Sequence, residues 1–105
     1  MPIKFDIKGM ANALESHCPN VAFAYLLGSA QSGTIQEGAD IDIAVYLRDT
    51  GQKPDTLNNL YAQIEPFVGG TLIDIIFLNG AEPVIAFEAI RGTRLFVRDE
   101  YLQEY

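Results

Sequence analysis

Two aspartates separated by one residue stand at the start of an alternating apolar segment. Asp40 and Asp42 flank Ile41, and every second residue of a β-strand lies on the same face, with α-carbons about 6.6 Å apart. Two carboxylates that close repel each other unless a cation lies between them. Mg²⁺ takes oxygen ligands and is held in phosphoryl chemistry by one or two carboxylates together with substrate phosphates. The alternative is a pair of ordinary solvated acids at the beginning of a strand.

A third aspartate, Asp74, interrupts an apolar run that extends from Leu72 to Leu78. Burial of an unpaired carboxylate in such surroundings costs several kcal/mol, so a compensating group is expected. A structural salt bridge is one candidate, although no Lys or Arg is near in sequence. Three carboxylates on adjacent strands around one or two divalent ions would explain all three acids. Such a centre can activate an attacking hydroxyl and stabilise a leaving pyrophosphate.

Gly28 and Ser29 directly follow the apolar run Val21–Leu27, at the predicted end of a strand and start of a helix. Free backbone N–H groups and the helix dipole favour an anion such as phosphate at this point. Gly28 allows close approach to the backbone, and the Ser29 hydroxyl can add a hydrogen bond. The alternative is a simple turn in which Ser29 serves as the helix N-cap.

Apolar periodicity predicts the elements that must position these residues. The predicted order begins with a helix over about 8–19, a strand over 21–27, a short helix between 29 and 38, and a strand from Asp40 to Leu47. A helix through 57–64, closed by Pro66 and Gly69-Gly70, and a strand over 71–78 follow. The last predicted elements are a helix over 83–90 ended by Gly92 and a short edge strand or packed segment over 95–97. The sequence therefore predicts one α/β (α+β) domain over 1–105, with a mixed sheet of three or four strands flanked by about four helices.

Composition limits the classes of function. The 105 residues include 14 acidic and 7 basic residues, a net charge of −7 that disfavours direct nucleic-acid binding. The chain is 49% apolar and 20% charged, as in a globular protein, but a domain this small has a slim margin of stability. A partner subunit would help, which leaves a homodimer open.

The cysteine content and the N-terminus bear on location. Cys18 is the only cysteine, which excludes an internal disulfide and a multi-cysteine zinc site. Its neighbour His17 points away from it on a helix, so the pair is interpreted as structural. The N-terminus lacks an apolar stretch long enough for export or membrane insertion, so a cytoplasmic location without membrane contact is expected.

The combined pattern resembles a known family. Gly28-Ser29, ten residues and then Asp40-Ile41-Asp42 is similar to the signature of the polymerase-β-like nucleotidyltransferases, and 71–74 resembles the strand with their third carboxylate. The segments 24–29 and 89–96 resemble the minimal nucleotidyltransferases, the MntA-like antitoxins. The resemblance covers roughly 20–97.

The resemblance implies an adenylyltransferase that transfers AMP from ATP. Asp40 and Asp42 would bind Mg²⁺, Asp74 would be a further ligand and the base toward the acceptor hydroxyl, and Gly28 and Ser29 would hold the triphosphate. MntA-like proteins commonly pair with a HEPN-domain ribonuclease toxin and add AMP to one of its tyrosines. The resemblance therefore implies an antitoxin in a hetero-oligomer with a HEPN toxin.

The sequence departs from this family at two places. An arginine often found before the next glycine is replaced by the segment Ala30-Gln31-Ser32, and the usual serine before the Asp-x-Asp is Ala39. Loss of a charged hydrogen bond would weaken nucleotide binding by about 1.5–3 kcal/mol. The second hypothesis is therefore a catalytically weakened module that neutralises its partner by binding.

Three arginines follow the segment of the predicted last helix. Arg91, Arg94 and Arg98 could form a small basic patch that reaches the triphosphate or an acidic partner surface. The alternative is a set of separate solvated charges.

Overall fold

The computed structural model describes residues 2–80 and 91–98. In these residues the α-helices are Ile7–His17 (α1) and Lys53–Val68 (α2), and Gly28–Ser32 (η1) and Thr50–Gln52 (η2) are 3₁₀ helices. The strands are Ile3–Lys4 (β1), Val21–Leu27 (β2), Thr34–Ile35 (β3), Ile41–Leu47 (β4), Ile73–Phe77 (β5) and Thr93–Val97 (β6). No helix in the described ranges is long and apolar enough to cross a membrane.

Four strands form a mixed sheet in the order β5-β4-β2-β6. β2 is antiparallel to both β4 and β6, whereas β4 and β5 are parallel and are connected through α2. β1 and β3 form a separate antiparallel pair. The predicted α+β fold with a small mixed sheet is confirmed, although the described residues contain two α-helices, not four. The predicted short helix is the 3₁₀ helix η1, and the predicted helix over 83–90 lies outside the described residues.

The core lies between the helices and one face of the sheet. The alternation of β4 places four apolar side chains on this face, where the helices supply further fully buried side chains. The strand contributes Ile41, Ile43, Val45 and Leu47, and the helices contribute Met10, Leu14, Leu60, Ile64 and Val68. Full burial of a side chain of this size stabilises the fold by about 1.5–3 kcal/mol. Burial on this face therefore fixes the position and register of β4.

A second apolar cluster covers part of the opposite face of the sheet. Ala22, Phe23, Tyr25 and Ala44 are buried there, and Phe23 stacks on Tyr46 with ring centroids 5.0 Å apart. Ala44 and Tyr46 alternate with the residues of the helix-covered face, so the central strands are covered on both sides. Asp42 has the same parity as Ala44 and Tyr46 and therefore lies on this second face.

The two ends of α1 are capped by side chains. The Asp6 carboxylate accepts a hydrogen bond from the Gly9 backbone N–H at 2.9 Å. At the other end, the Arg98 guanidinium donates to the carbonyls of Glu15 and Cys18 at 3.0 Å each and to that of Val21 at 2.8 Å. A basic patch that includes Arg98 is therefore wrong, because its guanidinium satisfies carbonyls at the helix C-terminus.

The helix α2 extends past the proline that was expected to help close it. Pro66 lies inside the last turn, and the helix ends at Val68 with Gly69 as its C-cap at φ 42°. A proline this close to the end removes only one intrahelical hydrogen bond, which the helix tolerates. The following Gly70 N–H donates to the Glu65 carboxylate at 2.9 Å. The glycine pair therefore sets the entry into β5.

Candidate active site

The sheet brings the three aspartates to one end. Asp42 in β4 lies directly opposite Asp74 in β5, because the two parallel strands are paired in that register. Asp40 immediately precedes β4. On the other side of β4, Asp42 is opposite Leu27, the last residue of β2, so Gly28 follows next to the carboxylates. The residues singled out from sequence spacing are therefore neighbours in space.

The carboxylates influence one another electrostatically. The pKa of Asp42 is raised above its ordinary value, first by burial of the half-exposed side chain and then by the charges of Asp74 and Asp40. A negative charge at Asp42 is thus disfavoured by its surroundings. A cation beside the three carboxylates would relieve this repulsion and favour the ionised form.

Asp74 itself is exposed, which corrects the expectation that its apolar run is buried. β5 lies at the edge of the sheet, so it is paired on one side only, and its other side chains are no more than half-buried. The carboxylate therefore reaches solvent and needs no salt bridge to balance it. Its position makes it accessible to a molecule that approaches the edge of the sheet.

The side chains do not form a closed metal cage. Among residues 2–80 and 91–98, no three His, Cys, Asp or Glu side chains are grouped closely enough to hold a metal ion. The adjacent carboxylates nevertheless offer the hard oxygen ligands that Mg²⁺ prefers. Mg²⁺ is usually bound by one or two carboxylates plus substrate phosphates. An open group of carboxylates fits this mode, in which the substrate completes the coordination.

The Gly28 backbone lies beside the Asp42 carboxylate. Its φ of +69° lies in the left-handed region, and a Cβ atom at this position would lie 3.5 Å from Asp42 Oδ2. A side chain would be strained there and would occupy space beside the carboxylate. The 3₁₀ helix starts at Gly28 itself, so Ser29 lies within it and is exposed. The expected N-cap position for Ser29 is therefore wrong, since the turn begins one residue earlier.

A cavity of about 330 Å³ opens beside Gly28. It is lined by Leu27, Gly28, Gln31, Arg91 and Gly92. The Gln31 side chain donates to the Gly28 carbonyl at 3.1 Å and accepts from the Thr93 hydroxyl at 2.8 Å. This second contact connects η1 to the start of β6. No local pattern predicts this contact of Gln31, because its partner Thr93 is 62 residues away.

A second cavity, of about 290 Å³, lies beside Asp40 and the residues that lead into β5. Its lining includes Asp40, Ile3, Thr71 and Leu72. Leu72 is 73% exposed, and its carbonyl accepts from the Ile41 N–H at 2.9 Å, which places its backbone beside Asp40. Ile3, in the lining of the same cavity, is a second exposed apolar side chain. Sequence reasoning missed Leu72 because it assigned the residue to a buried strand.

Cys18 lies outside this site. Its side chain is buried in the core, and burial raises the pKa of the thiol to about 11, although Arg98 partly offsets the effect. The thiol is therefore neutral near pH 7 and a poor nucleophile. The interpretation of Cys18 as a structural residue agrees with this environment.

Comparison with known proteins gives one family. The family model described as "Polymerase beta, Nucleotidyltransferase" matches residues 8–101. No curated protein matches the sequence. The match includes all five residues of the Gly-Ser and aspartate pattern.

Several solved structures have a similar fold. One is a MntA-HpeT toxin-antitoxin with two Asp-to-Glu substitutions two positions apart, with a TM-score of 0.62, 20% identity, and coverage of 90% of this chain and 76% of that chain. A toxin-antitoxin with AMP-PNP has a TM-score of 0.61 and 21% identity over the same shares. A tri-AMPylated HEPN toxin in complex with MNT antitoxin from Shewanella oneidensis has a TM-score of 0.56 and 19% identity, covering 93% and 78%. At these identities the likeness shows the fold.

Proposed function

The chain belongs to the polymerase beta nucleotidyltransferase family, and on this premise we propose that it is an Mg²⁺-dependent adenylyltransferase that acts as an antitoxin. It transfers AMP from ATP to a hydroxyl, that of a tyrosine in a partner HEPN toxin. The observation that carries the proposal is the register of the parallel strands, which sets Asp42 opposite Asp74 and beside Gly28.

The reaction is a displacement at phosphorus. The acceptor hydroxyl oxygen forms a bond to the α-phosphorus of ATP, while the bond from that phosphorus to the oxygen bridging to the β-phosphate breaks and pyrophosphate leaves. Asp74 takes the hydroxyl proton, a role that its exposed position at the sheet edge supports. Asp40 and Asp42 would hold Mg²⁺, which would neutralise phosphate charge and lower the pKa of the acceptor hydroxyl.

The Gly28 backbone takes part by leaving room for phosphate. Because the position carries no side chain, a phosphate oxygen can come close to the main chain next to Asp42. Ser29 is exposed one residue further on, where its hydroxyl can donate to the same triphosphate. These two residues bind the nucleotide, and the carboxylates act on it.

The acceptor approaches from the β5 side. In an in-line displacement the attacking and leaving oxygens lie on opposite sides of the phosphorus. With the triphosphate beside Gly28, the acceptor lies toward β5, where Leu72 and Ile3 are exposed next to Asp40. These apolar side chains would contact the polypeptide segment that carries the acceptor tyrosine.

The partner is proposed from structural likeness and charge. Similar folds occur in toxin-antitoxin structures, one of which contains AMP-PNP and another a tri-AMPylated HEPN toxin. The net charge of −7 suits a basic partner surface. A complex would also support the small core of this chain.

Intact-mass spectrometry of a co-expressed HEPN toxin tests the proposal. After incubation with ATP and Mg²⁺, we expect the toxin to gain mass in steps of AMP. An Asp40→Asn/Asp42→Asn variant should give no gain. Asp55→Asn, which removes an exposed acid in the first turn of α2, is the matched control and should act as the wild type does.

The opposite result would support the second hypothesis, a weakened module that neutralises its partner by binding. A stable complex whose toxin gains no mass with the wild-type chain would overturn the enzyme proposal. Neutralisation by binding would then be the function, and the carboxylate variant should still protect cells from the toxin.

A further inference from the structure

The cavity of about 330 Å³ beside Gly28 lies next to the Asp42 carboxylate, where the proposed function places the triphosphate. Its lining joins the end of β2 to the start of β6, through Gly28 on one wall and Arg91 on the other. The hydrogen bonds of Gln31 to the Gly28 carbonyl and the Thr93 hydroxyl connect these walls. Arg91, two residues before Thr93, is therefore connected through Gln31 to the Gly28 backbone beside Asp42.

The site needs a positive charge for an anionic ligand. Three carboxylates lie at this end of the sheet, because Asp42 is opposite Asp74 and Asp40 immediately precedes β4. A polyphosphate that enters this region is repelled unless a cation compensates its charge. A guanidinium is well suited, because it remains charged and can donate two parallel hydrogen bonds to phosphate oxygens.

The chain has few cations that can serve. All seven of its Lys and Arg residues lie within the described ranges. Of the seven, Arg91 is the one that lines the cavity beside Gly28.

We propose that Arg91 binds the β- and γ-phosphates of the nucleoside triphosphate and stabilises the pyrophosphate as it leaves. The inference rests on the proposed function, because it assigns a further residue to the same site. Arg91 supplies the positive charge that the segment Ala30-Gln31-Ser32 lacks on the opposite wall. Leaving pyrophosphate thus lies on the β6 side of the carboxylates, and the acceptor on the β5 side.

Isothermal titration calorimetry with ATP and AMP, each in the presence of Mg²⁺, tests this role. We expect Arg91→Ala to weaken ATP binding by about tenfold to a hundredfold, as for a charged hydrogen bond. AMP lacks the two outer phosphates, so its affinity should change less than about twofold. Arg91→Lys keeps the charge but loses the planar fork, so its ATP affinity should lie between those of the wild type and Arg91→Ala.

Arg94→Ala is the matched control. Arg94 is an exposed cation three residues away on β6, and it does not appear in the lining of this cavity. Its removal lowers the net charge by the same amount and should change ATP affinity less than about twofold. An equal loss in the Arg91 and Arg94 variants would mean a general effect of charge and would overturn the proposal.

Two further results would also overturn it. One is an Arg91→Ala chain that binds ATP as tightly as the wild type does. The other is an equal loss of ATP and AMP affinity, which would place Arg91 away from the outer phosphates. A wild-type chain that binds ATP through Arg91 but transfers no AMP would contradict the proposed function and leave this inference standing. Circular dichroism of each variant checks that the fold is retained.

Discussion

The two faces of β4 serve different purposes. On the helix-covered face, Ile41, Ile43, Val45 and Leu47 are buried against α1 and α2. On the other face, the pKa of the half-buried Asp42 is raised first by its burial and then by the charges of Asp74 and Asp40. Adjacent residues of one strand thus contribute in opposite ways to the free energy of folding. The comparison shows how period-two alternation separates the residues that stabilise a small domain from those proposed to do chemistry.

The site face is the less favourable of the two. Like charges at Asp40, Asp42 and Asp74 destabilise the folded state, and burial on the helix-covered face offsets this cost. Substitutions on the two faces should therefore change different properties of the protein. Those at the carboxylates should remove activity without loss of stability, and those in the core should do the reverse.

The largest expected effect is on transfer by Asp42→Asn. Loss of the carboxylate nearest to both Asp74 and Gly28 should lower the rate of AMP transfer by about a thousandfold or more. The melting temperature should be equal to or higher than that of the wild type, because a disfavoured charge is removed. Transfer kinetics and thermal denaturation measure the two quantities. A clear loss of stability would contradict the comparison between the faces.

Leu60→Ala should have the opposite effect. Leu60 is fully buried in the core between α2 and the sheet, and its truncation should lower the free energy of unfolding by about 2–5 kcal/mol. Urea denaturation gives this value. Transfer per folded molecule, measured below the midpoint, should stay close to the wild-type rate.

Arg98→Ala tests a polar contribution to the same core. Its guanidinium donates to three carbonyls at the junction of α1 and β2, so its loss should cost about 1.5–3 kcal/mol in urea denaturation. The exposed neighbour Arg94 provides the control, since Arg94→Ala should change stability by less than about 0.5 kcal/mol. Equal values for the two variants would show that the capping contacts contribute nothing.

Leu72→Asp should affect the acceptor step alone. Leu72 is 73% exposed beside Asp40, so its replacement should change stability by less than about 0.5 kcal/mol. Transfer to the toxin should fall about tenfold, while ATP affinity in calorimetry stays unchanged. Tyr61→Asp, at an exposed aromatic residue of α2, is the control and should leave transfer intact.

The smallest effect concerns the pH dependence of stability. The pKa of Asp42 is raised in the folded protein, so the folded state binds its proton more tightly than the unfolded state does. Its contribution to stability is therefore lost as pH rises through the interval between the ordinary and the raised pKa. In urea titrations from about pH 4 to about pH 7, the wild type should lose stability relative to Asp42→Asn. A relative gain would contradict the sign of the shift.

Local periodicity was sufficient for the central elements. β2, β4, α1 and most of α2 follow from apolar spacing, and the spacing of Asp40 and Asp42 predicted two carboxylates on one face of a strand. Two-residue strands such as Ile3–Lys4 are too short to produce a period. Their pairing depends on contacts between distant segments, which a local pattern does not contain.

The remaining differences depend on tertiary structure. The exposure of Asp74 follows from the position of β5 at the sheet edge, and no feature of its apolar run shows strand order. Gln31 and Arg98 likewise bond to residues far away in sequence, Thr93 and Glu15. The types and spacing of the residues singled out the carboxylates, but a local pattern does not contain contacts such as those of Gln31 and Arg98, whose partners are distant in sequence.

Because β5 lies at the edge of the sheet, the site that contains Asp74 can come apart while the rest of the fold stays intact. Within residues 2–80 and 91–98, β4 is the one strand that pairs with β5, whose side chains are at most half-buried. Detachment of such a strand requires less free energy than global unfolding, and it would carry Asp74 away while β2 and β4 remain paired. The proposed base can therefore be lost transiently from an otherwise intact molecule. A partner that packs against this edge would hold the strand in place and, under the proposed function, would complete the enzyme that modifies it.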